Sequence, residues 1–228
     1  MPKMKKAPEL SPKIKATPVK EKTPAEKQKL LNQQLLNAAK NGKLKTAKSL
    51  IEKGAQVNSS NKAFVTPLMM ASRFGNLEVV KLLVQKGANL NATNKIGRTA
   101  LMMAARNGKL DCVKFLVKKG ADLNLKDDTS GNTAFIAAAG GGKTEVVEYL
   151  IANDDVVVNK KNDSGSTALI LAAKKGQKDV VEVLLASKRI KLQMKDNEEK
   201  TALDWAVEMG NAEITKMIAE EIEKRGSK

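Results

Sequence analysis

The sequence predicts an all-α repeat solenoid, and three observations support this prediction. A threonine followed two residues later by Leu or Phe recurs at intervals of 33, 34, 34 and 34, at Thr66, Thr99, Thr133, Thr167 and Thr201. A glycine follows each threonine after nine residues. Aromatic residues make up only 3% of the 228 residues, so the core must be aliphatic, which suits close packing of helices. A period of this length indicates stacked units, because one unit cannot bury its apolar face alone.

Each unit is predicted to contain a short helix, a glycine-stopped turn, a second helix and a turn-rich return. The stop glycines are Gly42, Gly75, Gly108, Gly142, Gly176 and Gly210. Small residues on the first helix, such as Ala104 and Ala105, permit close approach between units, and Leu and Val on the second helix fill the space behind. The predicted units are about 28–60, 61–93, 94–127, 128–161, 162–195 and 196–225.

The N-terminal segment 1–24 is predicted to be a flexible Pro/Lys-rich tail ahead of a repeat domain at 25–225. Five of the six prolines lie in it, together with seven lysines. Such a segment has too little apolar surface to offset its ordering entropy. Thr23, Pro24 and Glu26 have the spacing of a capping box with proline at the first helical position, so a helix is predicted to begin there.

The stretch AAAGGGKT, residues 137–144, resembles the phosphate-binding loop of nucleotide hydrolases. Such a loop needs a preceding buried strand and a glycine at its first position, whereas here a helix precedes it and that position is Ala137. The period instead makes Gly142 the stop glycine of its unit. We therefore predict no nucleotide site and no cofactor.

The composition argues against catalysis. Histidine is absent, which removes the usual general base and the commonest metal ligand. Cys112 is the single cysteine, and Asp154 and Asp155 have no convergent partner that the sequence reveals. We predict no catalytic residue and no metal site. No apolar run is long enough to span a membrane, so no membrane insertion is expected. The sequence leaves the compartment open between the cytoplasm and, if an export signal has been removed, the periplasm.

The formal charge of +16 raises the question of nucleic acid as a partner. Arginine supplies only five of the 41 basic residues, and lysine is a compact, hydrated charge without the planar fork that suits phosphate and guanine. We therefore interpret the lysines mainly as a solvated surface. Lysine-mediated binding of nucleic acid or another anionic polymer stays an alternative, with a steep salt dependence as its signature.

The segments TPLMMA, TALMMAA, TALILAA and GADLN occur in register, and with them the chain resembles ankyrin-repeat proteins over about residues 25–225. The resemblance implies a curved stack of helix pairs with β-hairpins projecting at near right angles. It also implies a non-catalytic, monomeric module that binds a partner protein through its concave groove and hairpin tips. Because some bacterial ankyrin proteins inhibit an enzyme, we expect a bacterial inhibitor or immunity protein, with a scaffold or adaptor as the alternative.

Partner-binding residues follow from the register of the resemblance. They are Phe64, Arg73, Phe74, Lys95, Ile96, Arg98, Arg106, Gly140, Gly141, Lys174 and Lys175. The early units present a basic and apolar surface, which favours a partner with an acidic or mixed-charge face, and an enzyme is one such partner. The last unit reverses sign with Glu198, Glu199, Asp204 and Glu208, and this asymmetry would orient a partner along the stack.

Two features of this surface each have two interpretations. Phe64 occupies a turn position held elsewhere by glycine. Phe64 and Phe74 are each either an exposed binding anchor or a side chain that tucks against the neighbouring unit. Gly140 and Gly141 stand where other units have large side chains. They are either a frayed helix end without a role or a docking depression for an inserted partner loop.

Overall fold

The computed structural model describes residues 23–226, in which twelve helices form six consecutive pairs. The helices are α1 (Pro24–Lys40), α2 (Leu44–Glu52), α3 (Pro67–Phe74), α4 (Leu77–Gln85), α5 (Ala100–Arg106), α6 (Leu110–Lys118), α7 (Ala134–Gly140), α8 (Thr144–Ile151), α9 (Ala168–Lys174), α10 (Lys178–Ala186), α11 (Ala202–Glu208) and α12 (Ala212–Gly226). The predicted all-α repeat stack is confirmed. The predicted tail lies outside the described residues, except for Thr23 and Pro24 at the start of α1.

The helices form two layers that share one core. Each first helix packs against the first helices of the adjacent pairs, from α1 through α11, and each second helix packs against its own neighbours, from α2 through α12. Ala104 and Ala105 are fully buried between first helices, and Leu83 and Leu116 are fully buried behind them. No helix among residues 23–226 combines the length and apolarity needed to cross a membrane.

The repeating threonines are N-caps. The Thr66 hydroxyl accepts a hydrogen bond from the Met69 backbone N–H at 3.3 Å, and each later threonine caps its own helix in the same way. A cap of this kind is worth about 1 kcal/mol. At α1 the predicted capping box is present, since the Thr23 N–H donates to Glu26 Oε2 at 2.8 Å and the Glu26 N–H donates to Thr23 Oγ1 at 3.2 Å.

Gly142 has the left-handed conformation that its repeat position requires, with φ +66°. Its equivalents in the other pairs also have positive φ, between +65° and +78°. A side chain at such a position is strained, which explains the glycine without a bound phosphate. The segment before it is helix α7 rather than a strand, so the GGGKT motif follows from the repeat.

The projecting β-hairpins that the family resemblance implied are not seen, and residues 23–226 contain no strand. The connections before the first helices are tight turns, each joined to the next by one backbone hydrogen bond. Examples are Lys95 N–H to the Ala63 carbonyl at 3.0 Å and Asp128 N–H to the Ile96 carbonyl at 3.1 Å. Within one turn the backbone bonds close the turn itself, as Asn61 N–H to the Val65 carbonyl at 3.2 Å and Phe64 N–H to the Asn61 carbonyl at 2.9 Å do, whereas a hairpin ladder requires repeated bonds along two strands.

The two lengthened second turns near the C-terminus are held by arginine instead of glycine. The Arg189 guanidinium donates at 2.7–3.1 Å to four carbonyl oxygens, those of Ile151, Asn153, Asp154 and Val156. Arg225 similarly donates to the Leu185 carbonyl in the last turn of α10 and to the Ser187 and Ile190 carbonyls beyond its end. These arginines satisfy carbonyls that a helix end leaves without an internal partner.

Candidate protein-binding surface

The groove face is defined here as the exposed C-terminal ends of the first helices together with the turns that precede those helices. Two residues before each stop glycine, successive pairs place Lys40, Arg73, Arg106, Gly140, Lys174 and Glu208. One residue before it, they place Asn41, Phe74, Asn107, Gly141, Lys175 and Met209. Phe64, Lys95 and Ile96 lie in the turns.

Phe64 is exposed and sits in a left-handed backbone conformation. Its φ is +56°, and 55% of its surface is exposed. The turn is held by Asn61, whose side-chain oxygen accepts hydrogen bonds from the Ala63 and Val65 N–H groups at 2.9 and 3.1 Å. Lys95 Nζ lies 5.7 Å from the centre of the Phe64 ring. The interpretation that this ring tucks against the neighbouring unit is therefore wrong.

The equivalent positions in the next three turns are glycines, and packing as well as φ explains them. A Cβ on Gly97 would lie 2.6 Å from the backbone nitrogen of Asp128, and one on Gly131 would lie 2.9 Å from that of Asp163. Such distances are shorter than real Cβ contacts, so these turns exclude a side chain. Phe64 is thus a bulky residue at a position where its neighbours require glycine.

Phe74 is the second exposed aromatic of the face. It is 43% exposed at the end of α3, so it too does not tuck away. Lys40 Nζ and Arg73 Cζ lie 5.8 and 5.6 Å from its ring centre. Lys40, Arg73 and Arg106 are exposed, and within residues 23–226 none of them pairs with a carboxylate. The sequence pattern did not lead us to predict Lys40 as a binding residue, although it lies two residues before Gly42 and is therefore equivalent to Arg73.

Arg98 differs from these cations because it is engaged within the chain. Its Nε donates to Asp127 Oδ2 at 3.3 Å and its Nη2 donates to Thr129 Oγ1 at 3.3 Å. Burial alone would raise the pKa of Asp127. Hydrogen bonds from Ser130, Thr129 and Arg98 outweigh burial and hold that pKa below its ordinary value of 3.8. Arg98 therefore braces a turn.

Gly140 and Gly141 do not form an open depression. Gly140 is buried and α7 is helical through it, which also argues against a frayed end. A Cβ at Gly140 would lie 2.6 Å from Leu171 Cδ2 and 3.6 Å from Lys175 Nζ, so side chains of the next pair already cover it. At Gly141 a Cβ would meet the Ala137 carbonyl oxygen at 3.0 Å. The absent side chains make room for the neighbouring pair.

Lys174 lies in an internal cluster around Trp205. Trp205 is 3% exposed, and Lys174 Nζ and Lys200 Nζ lie 3.2 and 4.2 Å from its ring centre. The indole N–H donates to Asp196 Oδ2 at 2.6 Å. Lys174 Nζ is also 3.8 Å from a carboxylate oxygen of Glu198.

The same cluster extends to the end of α11. Lys200 Nζ lies 2.6 Å from Glu208 Oε2 and 3.2 Å from Glu198 Oε2. These contacts raise the pKa of Lys200, chiefly through the hydrogen bond that its ammonium donates to Glu208. Lys175 remains exposed at the surface beside this cluster. Within residues 23–226, Lys174 and Lys200 of this C-terminal part are thus paired with carboxylates of the chain, and Lys175 is not.

Cys112, the single cysteine of the chain, lies in α6 and not on the groove face. Cys112 is buried, and burial followed by the neighbouring Asp111 raises its pKa to about 11, so the thiol stays protonated near neutral pH. The part of the chain that the structure describes contains no group of three or more Cys, Asp or Glu side chains placed to hold a metal ion. What the face presents is a set of open cations beside exposed aromatic and apolar side chains.

A comparison with protein families agrees with this architecture. A family model described as "Ankyrin repeats (3 copies)" matches the chain three times, over residues 35–127, 126–196 and 158–226. No individual curated protein matches the chain. Ankyrin repeats are generally protein–protein interaction modules, and the family is typically non-catalytic. The matches cover most of the sequence, and the chain belongs to the ankyrin-repeat family.

Proposed function

We propose that this chain binds a partner protein through the basic-aromatic surface, defined as Lys40, Phe64, Arg73, Phe74, Lys95, Ile96 and Arg106. The observation that carries the proposal is the conformation of Phe64. A left-handed backbone costs a residue with a side chain roughly 1–2 kcal/mol, and exposure of the ring leaves its apolar area in water. Stability does not account for a phenylalanine there, whereas use as a binding anchor does.

The charge distribution supports an acidic or mixed-charge partner face. Residues 23–127 contain 19 lysines and arginines against 6 aspartates and glutamates, whereas residues 128–226 contain 14 against 17. The surplus thus lies in the same pairs as Phe64 and Phe74. A surface of this kind raises the association rate of a partner with the opposite charge and disfavours a basic one.

The finer proposal is that occupying the partner's surface inhibits an enzyme, as an immunity protein would. A scaffold or adaptor differs in one measurable way, because it leaves the catalytic rate of its partner unchanged. The activity of the captured partner with and without the full chain distinguishes the two. Nuclease treatment and the dependence of affinity on salt distinguish binding of nucleic acid through the lysines from binding of a partner protein.

The experiment replaces Phe64 by glycine. Tagged full-length chain is used to capture its partner from native extract treated with nuclease, and the affinities of the wild type and of Phe64→Gly are measured. Losing a binding anchor should weaken binding at least about thirtyfold, the equivalent of 2 kcal/mol. The melting temperature should not fall, because relief of the backbone strain offsets the added chain entropy of glycine.

Glu199→Gly is the matched control. Glu199 has φ +58° at the equivalent position of the last turn, so the same strain is relieved away from the basic-aromatic surface. Its affinity for the partner should match that of the wild type. Unchanged affinity in Phe64→Gly, or an equal loss in both variants, would contradict the proposal.

A further inference from the structure

Three open cations occupy the same position in three successive helix pairs. We propose that the cationic row, Lys40, Arg73 and Arg106, is the docking site for an acidic α-helix of the partner that lies along the stack and carries carboxylates seven residues apart. This inference rests on the proposed function and adds the secondary structure and charge spacing of the bound segment.

The spacing of the row follows from the packing of the first helices. α1 packs on α3 and α3 packs on α5, and the axes of packed helices lie about 8–10 Å apart. Lys40 and Arg73, which belong to successive first helices, both approach the Phe74 ring, with their charged groups 5.8 and 5.6 Å from its centre. Charges on a partner must repeat at about the same distance to meet all three cations.

An extended segment does not match this spacing. Its side chains alternate between faces and rise about 3.3 Å per residue, so side chains on one face lie about 6.6 Å or about 13 Å apart. A residue three positions along is near 10 Å but points to the opposite face. One strand therefore cannot bring its carboxylates to successive cations of the row.

An α-helix does match it. Seven residues rise about 10.5 Å and return to nearly the same face, about 20° from the start. Carboxylates at the first, eighth and fifteenth positions thus form a straight line of three negative charges. An apolar residue between the first two would lie near the exposed Phe74 ring, which both Lys40 and Arg73 approach.

The row changes at the fourth helix pair. Gly140 has no side chain there and is covered by Leu171, and Lys175 Nζ lies 3.6 Å from where a Cβ of Gly140 would lie. Lys174 is already occupied by Trp205 and Glu198. A docked helix with three carboxylates is therefore expected to contact the first three helix pairs, and about four turns of helix are enough to span them.

The first experiment measures fluorescence anisotropy of labelled synthetic peptides with the full chain at physiological ionic strength. Two helix-stabilised peptides have the same composition, one with glutamates seven residues apart and one with glutamates five residues apart. The seven-residue spacing should bind at least about tenfold more tightly, because only it aligns the charges on one face. Equal affinities, or no binding by either peptide, would overturn the inference. Equally tight binding of an unstructured RNA of the same charge would do the same.

A charge swap gives an independent readout. Arg73→Glu should no longer bind the peptide whose glutamates are seven residues apart. A peptide in which the central glutamate is replaced by lysine should restore binding to that variant alone. Lys118→Glu makes the same charge change on an exposed residue of the other layer and should bind as the wild type does. If Arg73→Glu loses peptide binding and the lysine-containing peptide does not restore it, the proposed docking geometry is wrong. If Phe64→Gly still releases the cellular partner while the peptides fail, the helix inference is wrong and the proposed function stands.

Discussion

The two ends of the groove face are built from the same kinds of residue and differ in what surrounds them. At one end Lys40 and Arg73 flank Phe74, whose ring is 43% exposed, and no carboxylate pairs with either cation in residues 23–226. At the other end Lys174 lies over Trp205, whose ring is 3% exposed, with Glu198 close by. A cation without an internal counterion is available to a partner, and one that is paired mainly supports the fold.

Removal of Trp205 should have the largest effect on stability. Trp205→Ala empties a buried site and leaves the Asp196 carboxylate without its indole donor, so the free energy of unfolding should fall by roughly 3–5 kcal/mol. Urea denaturation followed by circular dichroism measures it. Val207→Ala on the same helix is the control, since Val207 is 60% exposed and its change should stay within about 0.5 kcal/mol. Similar losses in both variants would refute a structural role for the cluster.

The arginine-held turns are the next most sensitive feature of the C-terminal half. Arg189→Ala removes four hydrogen bonds to backbone carbonyls and should lower the free energy of unfolding by roughly 2–3 kcal/mol. The exposed neighbour Lys188 offers a matched substitution, Lys188→Ala, with little expected change. An unchanged free energy of unfolding in Arg189→Ala would show that the guanidinium does not stabilise these turns.

Arg98 and Arg106 belong to the same repeat unit, and we expect the first to stabilise a turn and the second to bind the partner. Arg98→Ala should lower stability by about 1 kcal/mol, because Arg98 bonds Asp127 and Thr129. Arg106→Ala should leave stability within about 0.5 kcal/mol of the wild type and weaken partner binding instead. Thermal melts and affinities of both variants test this difference, and a stability loss confined to Arg106→Ala would reverse the assignment.

Low pH should also lower the free energy of unfolding, through Asp196 at the C-terminal end, by a smaller amount than these substitutions do. Burial alone would raise the pKa of Asp196, but hydrogen bonds from Trp205 and from the Lys200 and Glu198 amides hold it below 3.8. A carboxyl whose folded pKa is lowered stabilises the protein above its unfolded pKa and loses that contribution as pH falls through the folded value. Unfolding free energy should therefore drop below about pH 4. The fluorescence of Trp205, the single tryptophan, reports this loss locally.

Asp196→Asn provides the comparison for the acid effect. Without the titrating carboxyl, the variant should start less stable and lose less stability between neutral pH and pH 3. Glu145→Gln, a change at an exposed position of α8, should keep the wild-type dependence of stability on pH. A steeper acid loss in Asp196→Asn would contradict the assignment.

The periodic parts of the fold were predictable because their signals are local. Thr66 and its equivalents cap a helix that begins at the next residue, and Gly142 ends one, so sequence spacing was enough. The β-hairpins came from the family resemblance and are not seen in residues 23–226, where bonds such as Asn61 N–H to the Val65 carbonyl close each turn. Local chemistry thus predicts the elements better than the pairing between them.

The candidate site was predictable only in part, because contacts between pairs decide which side chains are available. Phe64 was visible as an aromatic at a glycine position. The engagement of Lys174 was not visible, since Trp205 lies 31 residues further along the chain. Nor was the covering of Gly140, which depends on Leu171 of the next pair. The role of the whole surface in binding stays a prediction.

The most direct test compares Arg73→Glu with Lys174→Glu for affinity toward the captured partner and for free energy of unfolding. Arg73→Glu is expected to lose at least about tenfold in affinity with unchanged stability, since Arg73 has no internal counterion. Lys174→Glu is expected to lose stability, through repulsion of Glu198 and loss of its contact with Trp205, while its folded fraction binds normally. Loss of affinity in Lys174→Glu with normal binding by Arg73→Glu would contradict the account.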